Sequence, residues 1–483
     1  MIKDSAVRLA VLWILLFGFF ARAQTYKTPL FDHHSWRQAD TAQIARNFLR
    51  ERFNPAFPQI DQRGAQADGS VETGFELYAF LVASIAQVAG FHVQIGRLLN
   101  SLLFIGSAFL VFRFLAARYD VTVALIGLFV YAFGLPLSLF LDRAFMNEGL
   151  LMFLSFSCFG AAQSYLARPR WLPVAILVVS SALIGMIKFP YLIVWAPIAG
   201  LFWEAEKPRA SRCWPLYLMA LVDLAAAALW YSHAHWLAQT TGLSFGLVDK
   251  VFDPALVFSW GFASAMAGRL FKEVLGPVGF LAAAAGLIVC LRRRRWPEIL
   301  GAAAFCAYLG LVAGGNAEHD YYQVAIVPIG VVLIAVGLSD GLRELAGLTG
   351  RRYVSAVTVA LALAALSTFV RSVSAHSWYE YDPDRVELCR QLRGQLGPTD
   401  LLVFVDYPNP DLLVCVDRRG WVTDENWTAS ILSDAWQEGA RVLVLRDSTP
   451  LTSIDEEMRP RHAPIARAGD LAAYRLEPFP GSR

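Results

Sequence analysis

The sequence predicts an all-α polytopic membrane protein with a small C-terminal α/β domain, and three observations predict it. The 483 residues are 56% hydrophobic and only 17% charged, where an average soluble chain carries about a quarter charged residues. The apolar residues gather in runs long enough to cross a bilayer, which takes about 20 helical residues. Beyond residue 371 the composition changes: residues 372–483 hold 12 Arg, no Lys and 18 Asp plus Glu, a net charge of −6. Residues 1–371 therefore read as a membrane domain and 372–483 as a terminal domain. The overall charge of +2 gives no signal for nucleic acid.

Val7–Ala21 is apolar behind Lys3 and Arg8, which suits a first span with a cytoplasmic N-terminus. A cleaved signal peptide is the rival reading, but Arg22 stands where small residues would mark a cleavage site. The expectation is a retained helix. Residues 22–96 then form the first outer loop, and 22–74 are polar and rich in Asp, Gln and Gly. Within it, residues 31–49 pack Asp32, His33, His34, Arg37 and Asp40 together beside Trp36. From Gln38 onward Thr41, Ile44, Ala45, Phe48 and Leu49 fall at helical spacing, and Arg37, Asp40 and Thr41 share one face. An anionic base and a cation held at a membrane surface suit chemistry on a charged lipid. The alternative is a solvated surface loop.

Phe75–Val93 contains Glu76, Tyr78 and Gln87 and reads either as a span or as a helix lying in the interface. Charge decides between them. If it does not span, the cytoplasmic loops are those with Arg113 and Arg118; Arg168 and Arg170; Lys207, Arg209 and Arg212; Arg292–Arg295; and Arg343, Arg351 and Arg352. If it spans, all of these move outside, against the positive-inside bias. The segment is therefore expected to be interfacial. The remaining apolar runs are 97–117, 121–141, 148–167, 171–187, 190–204, 214–232, 274–291, 297–314, 321–338 and 353–371, giving about 11 spans with the first.

The same parity puts the terminal domain outside. Asp384–Leu396 reads as a helix, Leu401–Val405 and Leu412–Val416 as strands, Ser430–Gly439 as a helix, and Arg441–Leu445 and Leu471–Leu476 as strands, the alternation of a small α/β domain. Cys389 and Cys415 would share an oxidising compartment, paired or as two buried thiols. The 6 cysteines form no CxxC motif, and Cys158, Cys290 and Cys306 in apolar runs suit packing.

Three polar clusters interrupt the outer ends of the spans: Asp142-Arg143 with Glu148; Lys188 before Phe189-Pro190-Tyr191; and Glu318-His319-Asp320-Tyr321-Tyr322-Gln323. Ionisable groups beside apolar helices are costly, so their gathering at one depth marks a candidate site. Each has a plainer reading: Asp142–Arg143 as an adjacent ion pair, Lys188 snorkelling to the interface, Tyr321 and Tyr322 in the aromatic belt, His319 as a solvated loop residue. Asp223 sits alone in an apolar run, as a hydrogen-bonded carboxylate or part of a polar path. His233 and His235 have metal-like spacing but no other obvious ligand nearby.

The order of these motifs resembles the GT-C class of membrane glycosyltransferases. They are an acidic loop before Ile44-Ala45-Arg46-Asn47-Phe48, Arg143 with Glu148, Lys188-Phe189-Pro190, and His319-Asp320-Tyr321-Tyr322-Gln323 before the span containing Pro328. More narrowly they resemble the branch of protein O-mannosyltransferases and the aminoarabinose transferase of lipid A, the bacterial family 39 type, over about residues 7–340. Phe75-Glu76-Leu77-Tyr78 ahead of Gly90 and Arg97 is similar to the family's loop helix leading into its second span. One departure stands out. The family's Asp-Glu pair falls on Arg37-Gln38 here, and Asp40 lies one turn further along, a shift of about 5 Å on the same face.

The resemblance implies a sugar moved from a polyprenyl phosphate to an acceptor hydroxyl, with inversion, at the periplasmic face of a bacterial inner membrane. Asp40 is the first candidate for the base, Asp32 the second, and Glu148 orients the acceptor or shares that role. Arg37, His34, Arg143, Lys188, His319, Tyr321 and Tyr322 are candidates for donor phosphate or sugar. No metal cofactor is required by this reading. The implied partners are the donor, a lipid, glycan or protein acceptor, and the bilayer. The alternative is a transporter or flippase of lipid-linked sugars, which would carry polar residues on to the cytoplasmic side and show inverted repeats.

Overall fold

The computed structural model describes residues 5–205, 212–246, 252–349, 377–405, 409–423, 429–447 and 463–476. The expected span 353–371 lies outside the described residues, as do Lys207, Arg209, Arg351 and Arg352. The chain opens with helices α1 (Ser5–Ala23), α2 (Ser35–Arg50), α3 (Leu77–Ala89) and α4 (Val93–Arg118). Two compact units emerge: residues 1–26, 96–233 and 246–376, and residues 27–95, 234–245 and 377–483.

The first unit is helical. Among the described residues five helices are long and apolar enough to cross a membrane: α1, α4, Glu148–Ala167, Trp214–Thr241 and Asp320–Glu344. The protein is a multi-pass membrane protein. Trp260–Val274 and Gly276–Arg292 add a sixth span if taken together, though they meet at 110°. The rest of the eleven expected runs are the shorter apolar helices Val121–Gly134, Trp171–Ile187, Phe189–Ala205 and Trp296–Leu311, and the 353–371 run. Small residues let helices approach closely: a Cβ on Gly286 would overlap the Leu333 carbonyl, and one on Gly337 the Ala282 carbonyl, so Gly276–Arg292 packs backbone to backbone on Val327–Thr349.

Two buried polar networks brace this unit. Arg22 is 1% exposed, donates to Asp142 Oδ2 at 2.8 Å and to the carbonyls of Gly18 and Ala132, and lies over the Phe104 ring. The expected Asp142–Arg143 pair is thus replaced by one between residues 120 apart in sequence. Arg97 binds the carbonyls of Thr25 and Tyr26 at 3.0 and 3.2 Å, fixing the turn after α1. Asp223 accepts from Ser181 Oγ at 3.0 Å and Trp195 Nε1 at 2.8 Å, which makes it a hydrogen-bonded buried carboxylate.

The second unit gathers the first loop and the terminal domain. At 13 residues α3 is about 20 Å long, and it packs along α2. The terminal sheet has the order β2-β1-β3-β5-β4, from β1 (Leu401–Val405), β2 (Gly420–Thr423), β3 (Ala440–Arg446), β4 (Ala466–Ala468) and β5 (Leu471–Arg475). β1 runs parallel to β2 and β3, while β5 runs antiparallel to β3 and β4. Leu388, Leu392, Leu402, Phe404, Leu412 and Leu413 fill one face, and Val403, Val405, Leu432, Leu443 and Leu445 the other.

One expected strand is corrected. Leu412–Val416 lies in a helix, Asp411–Val416, whose residues are almost all buried, so no alternation distinguished strand from helix. Cys389 and Cys415 are disulfide-bonded, with Cα atoms 6.1 Å apart, joining this helix to Pro383–Arg393.

Candidate functional site

The sequence-predicted residues fall into two groups, one on each unit. Asp32, His34, Arg37 and Asp40 belong to the first-loop unit. Helix α2 starts earlier than periodicity suggested, at Ser35, because His34 before it takes a left-handed backbone (φ 57°, ψ 35°) that turns the chain. The His34 ring lies 3.8 Å from that of His33 at a tilt of 41°, and His33 stacks on Trp378 at 5.3 Å while its backbone N–H donates to the Trp378 carbonyl at 3.0 Å. Asn409 Nδ2 donates to Ser35 Oγ at 2.7 Å. The start of α2 is thereby tied to the terminal domain.

Asp40 is 1% exposed. Its one hydrogen-bond donor among the described residues is Gln43 Nε2, 2.9 Å from Oδ1. Arg37, one turn back, pairs with Glu76 at 3.2 Å, and Glu76 also accepts from Thr73 Oγ1 at 3.1 Å. Burial pushes the Asp40 carboxyl up, Arg37 opposes this, Glu76 adds to it and Gln43 opposes it; the result is a pKa of about 7. Such a group holds or releases a proton near neutrality, as general acid–base chemistry requires. Asp32 differs. It accepts from Gln38 Nε2 on one oxygen and from Thr28 Oγ1 at 3.2 Å on the other, so both of its oxygens are engaged in tying the loop to α2.

Glu148, Arg143, Lys188, His319, Tyr321 and Tyr322 belong to the membrane unit. Glu148 opens the helix Glu148–Ala167, where a carboxylate favours the helix N-terminus. Its Oε1 lies 3.5 Å from Lys188 Nζ, while Oε2 is buried with no partner among the described residues. Lys188 ends the helix Trp171–Ile187, and its ammonium sits 3.7 Å from the Tyr322 ring, 4.8 Å from Tyr321 and 4.9 Å from Tyr191. An ammonium held by aromatic faces and one carboxylate is desolvated and oriented. Tyr321 and Tyr322 lie on the 3-10 helix Asp320–Ile326. His319 stacks on both, at 5.2 and 5.8 Å, with Nε2 3.4 Å from Glu318. Arg143 is fully buried with its guanidinium 4.5 Å from the Phe140 ring.

Several residues passed over by sequence reasoning shape these groups. Asn100 Nδ2 donates to the Ala144 and Met146 carbonyls at 2.5 and 2.9 Å, holding the turn between Arg143 and Glu148. Glu76 carried a usable signal, a charge at the start of an apolar helix; Gln43 and Asn100 carried none, being uncharged. His235 lies 3.5 Å from Glu72 and bonds Gln239, and the His233 ring lies 5.8 Å from that of Trp230.

No protein-family model matches the sequence, and a comparison with curated proteins finds no match. Solved structures do resemble it. ArnT from Cupriavidus metallidurans, bound to undecaprenyl phosphate, aligns over 100% of both chains with a TM-score of 0.66 at 13% identity. Its apo form aligns over 97% of both with a TM-score of 0.65. The archaeal oligosaccharyltransferase AglB from Archaeoglobus fulgidus, in complex with an inhibitory peptide and a dolichol-phosphate, gives a TM-score of 0.57 at 12% identity, covering 90% of this chain and 69% of that one. The fold is that of the GT-C membrane glycosyltransferases.

Proposed function

We propose that the protein is a membrane glycosyltransferase that moves a hexosyl or pentosyl group from a polyprenyl phosphate to an acceptor hydroxyl, with inversion, at the periplasmic face of a bacterial inner membrane. The observation that carries this reading is Asp40: a buried carboxylate with one neutral hydrogen-bond donor among the described residues, near Arg37 and Glu76, that titrates at about 7. The fold supports it, since the similar structures hold undecaprenyl phosphate or dolichol-phosphate.

In the reaction, Asp40 takes the proton of the acceptor hydroxyl as its oxygen bonds to the anomeric carbon. The bond from that carbon to the phosphate oxygen breaks, and the lipid phosphate departs with one more negative charge than it had in the diester. Cations that meet that growing charge lower the barrier. Lys188, Arg37 and Arg143 are the candidates that the resemblance implies for the phosphate, with His319 a candidate for phosphate or sugar. Tyr321, Tyr322 and His34 are assigned to sugar or phosphate contacts, and Glu148 to orienting the acceptor. The reading needs no metal. Acceptor identity, whether lipid, glycan or protein, is left to the assay.

The test uses purified enzyme in lipid with a radiolabelled pool of polyprenyl-phosphate sugars and a membrane acceptor extract. Asp40→Asn keeps shape and hydrogen bonding but takes no proton, so transfer should fall by about 10²–10⁴-fold. Equal transfer in wild type and variant would move the base to Asp32 or Glu148. Label that crosses the bilayer without reaching an acceptor would sink the transferase reading in favour of a transporter.

A further inference from the structure

We propose that Gln43 is a positioning residue for Asp40, held by a relay through Asp61 and Arg46 that ends on Val414 and Asp417 of the terminal domain. The proposal rests on the reading of Asp40 as base. All of these residues lie within one compact unit.

Gln43 is fully buried, nearly one turn after Asp40 on α2. Its Nε2 donates to Asp40 Oδ1 at 2.9 Å, and its Oε1 accepts the Asp61 backbone N–H at 2.6 Å. The amide therefore has one workable orientation. Turned over, its oxygen would face a carboxylate and its NH₂ a backbone donor. Asp61 is fixed in turn: Asn47 Nδ2 donates to Oδ1 at 3.0 Å, Arg46 Nη2 to Oδ2, and the Gly420 N–H to its carbonyl at 3.1 Å. Arg46 Nη1 reaches the Val414 carbonyl at 3.0 Å and Asp417 Oδ1 at 2.7 Å. Asp417 stands in a left-handed backbone conformation (φ 60°, ψ 49°), uncommon for a residue other than glycine, and its carboxylate also takes both bonds of Arg50 at 2.7 and 2.8 Å.

A buried carboxylate with a single donor is free to turn about its Cβ–Cγ bond unless that donor is itself fixed. Gln43 engages Oδ1 and leaves Oδ2 to face an acceptor hydroxyl. A relay that holds Gln43 thus sets the direction in which the base presents its lone pair. The relay uses the contact of the terminal domain with α2: the helix Asp411–Val416 packs on α2, and the disulfide at Cys415 adjoins the Val414 carbonyl that Arg46 uses.

The charged and titratable groups around Asp40 within this unit are Arg37 on its own helix and Glu76 ahead of α3. On α2 and the loop beside it stand the paired Arg46 and Asp61. On or just past Asp411–Val416 stand Asp411, held by Arg385 at 2.9 Å, and Asp417. Gln43→Leu removes a donor to the ionised carboxylate, so the base holds its proton to higher pH.

The experiment measures transfer against pH, from 5.5 to 9, for wild-type, Gln43→Leu, Arg46→Met and Asp40→Asn enzymes in lipid, with disulfide formation and size-exclusion profile as checks on folding. In Gln43→Leu the rising limb should move up by about one pH unit, a loss of about tenfold near pH 6.5 that is largely recovered at pH 9. Arg46→Met should move it in the same direction by less, with the donor KM unchanged. A limb that stays where the wild type has it overturns the relay, since Gln43 then makes no bond that holds the ionised carboxylate. Wild-type transfer by Asp40→Asn removes the underlying reading and the relay with it. A dead Asp40→Asn beside an unshifted Gln43→Leu defeats the relay alone.

Discussion

Asp40→Asn should make the protein more stable above neutral pH while it lowers transfer by about 10²–10⁴-fold. The sign follows from the direction of the shift. The carboxyl titrates near 3.8 when unfolded and at about 7 in the fold, where burial dominates. Below 3.8 both states are protonated and the group costs nothing. As pH rises the unfolded chain releases its proton while the folded one keeps it, so the stability contributed by the protonated form declines and is lost by the time the pH passes 7. A difference of about three pKa units corresponds to roughly 4 kcal/mol at pH 8, as an order of magnitude. Asparagine is neutral at every pH, and its amide oxygen still accepts from Gln43, so the variant should escape this decline. The assay is unfolding by denaturant of both proteins in lipid nanodiscs at pH 5 and pH 8. Other groups titrate over the same range, but they cancel in the difference between the proteins. That difference should grow toward the asparagine variant by about 2–4 kcal/mol from the lower pH to the higher. A difference that stays constant, or moves toward the wild type, refutes the argument that burial of this one carboxylate stores the cost.

Three further outcomes are expected. Arg22→Met strands Asp142 in a buried site and should cost about 3–5 kcal/mol, whereas Arg22→Met with Asp142→Leu should cost much less; a double-mutant cycle with no coupling would show the pair to be idle. Reducing the Cys389–Cys415 bond, which closes a loop of 26 residues, should destabilise the protein by about 3 kcal/mol on the chain-entropy model, read by unfolding with and without reductant. Lys188→Gln should raise the donor KM and lower kcat at least tenfold, and Lys188→Arg should recover only part, since the planar guanidinium does not fit an ammonium's place among three tyrosines; equal rates for all three proteins would remove Lys188 from the phosphate.

What could be read from the sequence follows from how far apart the interacting residues lie. A bilayer demands apolar runs, so the spans are visible as composition. Hydropathy alone left Phe75–Val93 undecided, and the distribution of arginine was the ground for expecting it to lie in the interface; the fold has a helix of 13 residues there. The terminal domain was legible at its helices and at the short apolar runs that form β1, β3 and β5. It was misread at Leu412–Val416, where burial on every side erases the period. β2, with the sequence Gly420-Trp421-Val422-Thr423, escaped notice because it is short and only its first residue is buried. The pairings of Arg22 with Asp142 and Arg46 with Asp417 join residues 120 and more apart, and no local pattern encodes them.

The choice between the two aspartates illustrates what geometry adds to such a list. As letters, Asp32 and Asp40 are equivalent acids in one polar stretch, and the place of Asp40 one helical turn from the family's acidic position, on the same face, was the ground for preferring it. In the fold they differ in how their oxygens are used. Asp32 binds Gln38 with one and Thr28 with the other, so both oxygens are used in holding the loop. Asp40 has burial without that compensation: one amide donor, a cation already paired with Glu76, and a second carboxylate close by. A carboxylate that costs the fold stability when ionised is one that gains by taking a proton, and gaining by taking a proton is what a general base does. On the reading of Asp40 as base, the expense of keeping it buried and its capacity for catalysis have a single physical origin, and Gln43 is the neutral group proposed to keep the first from eliminating the second.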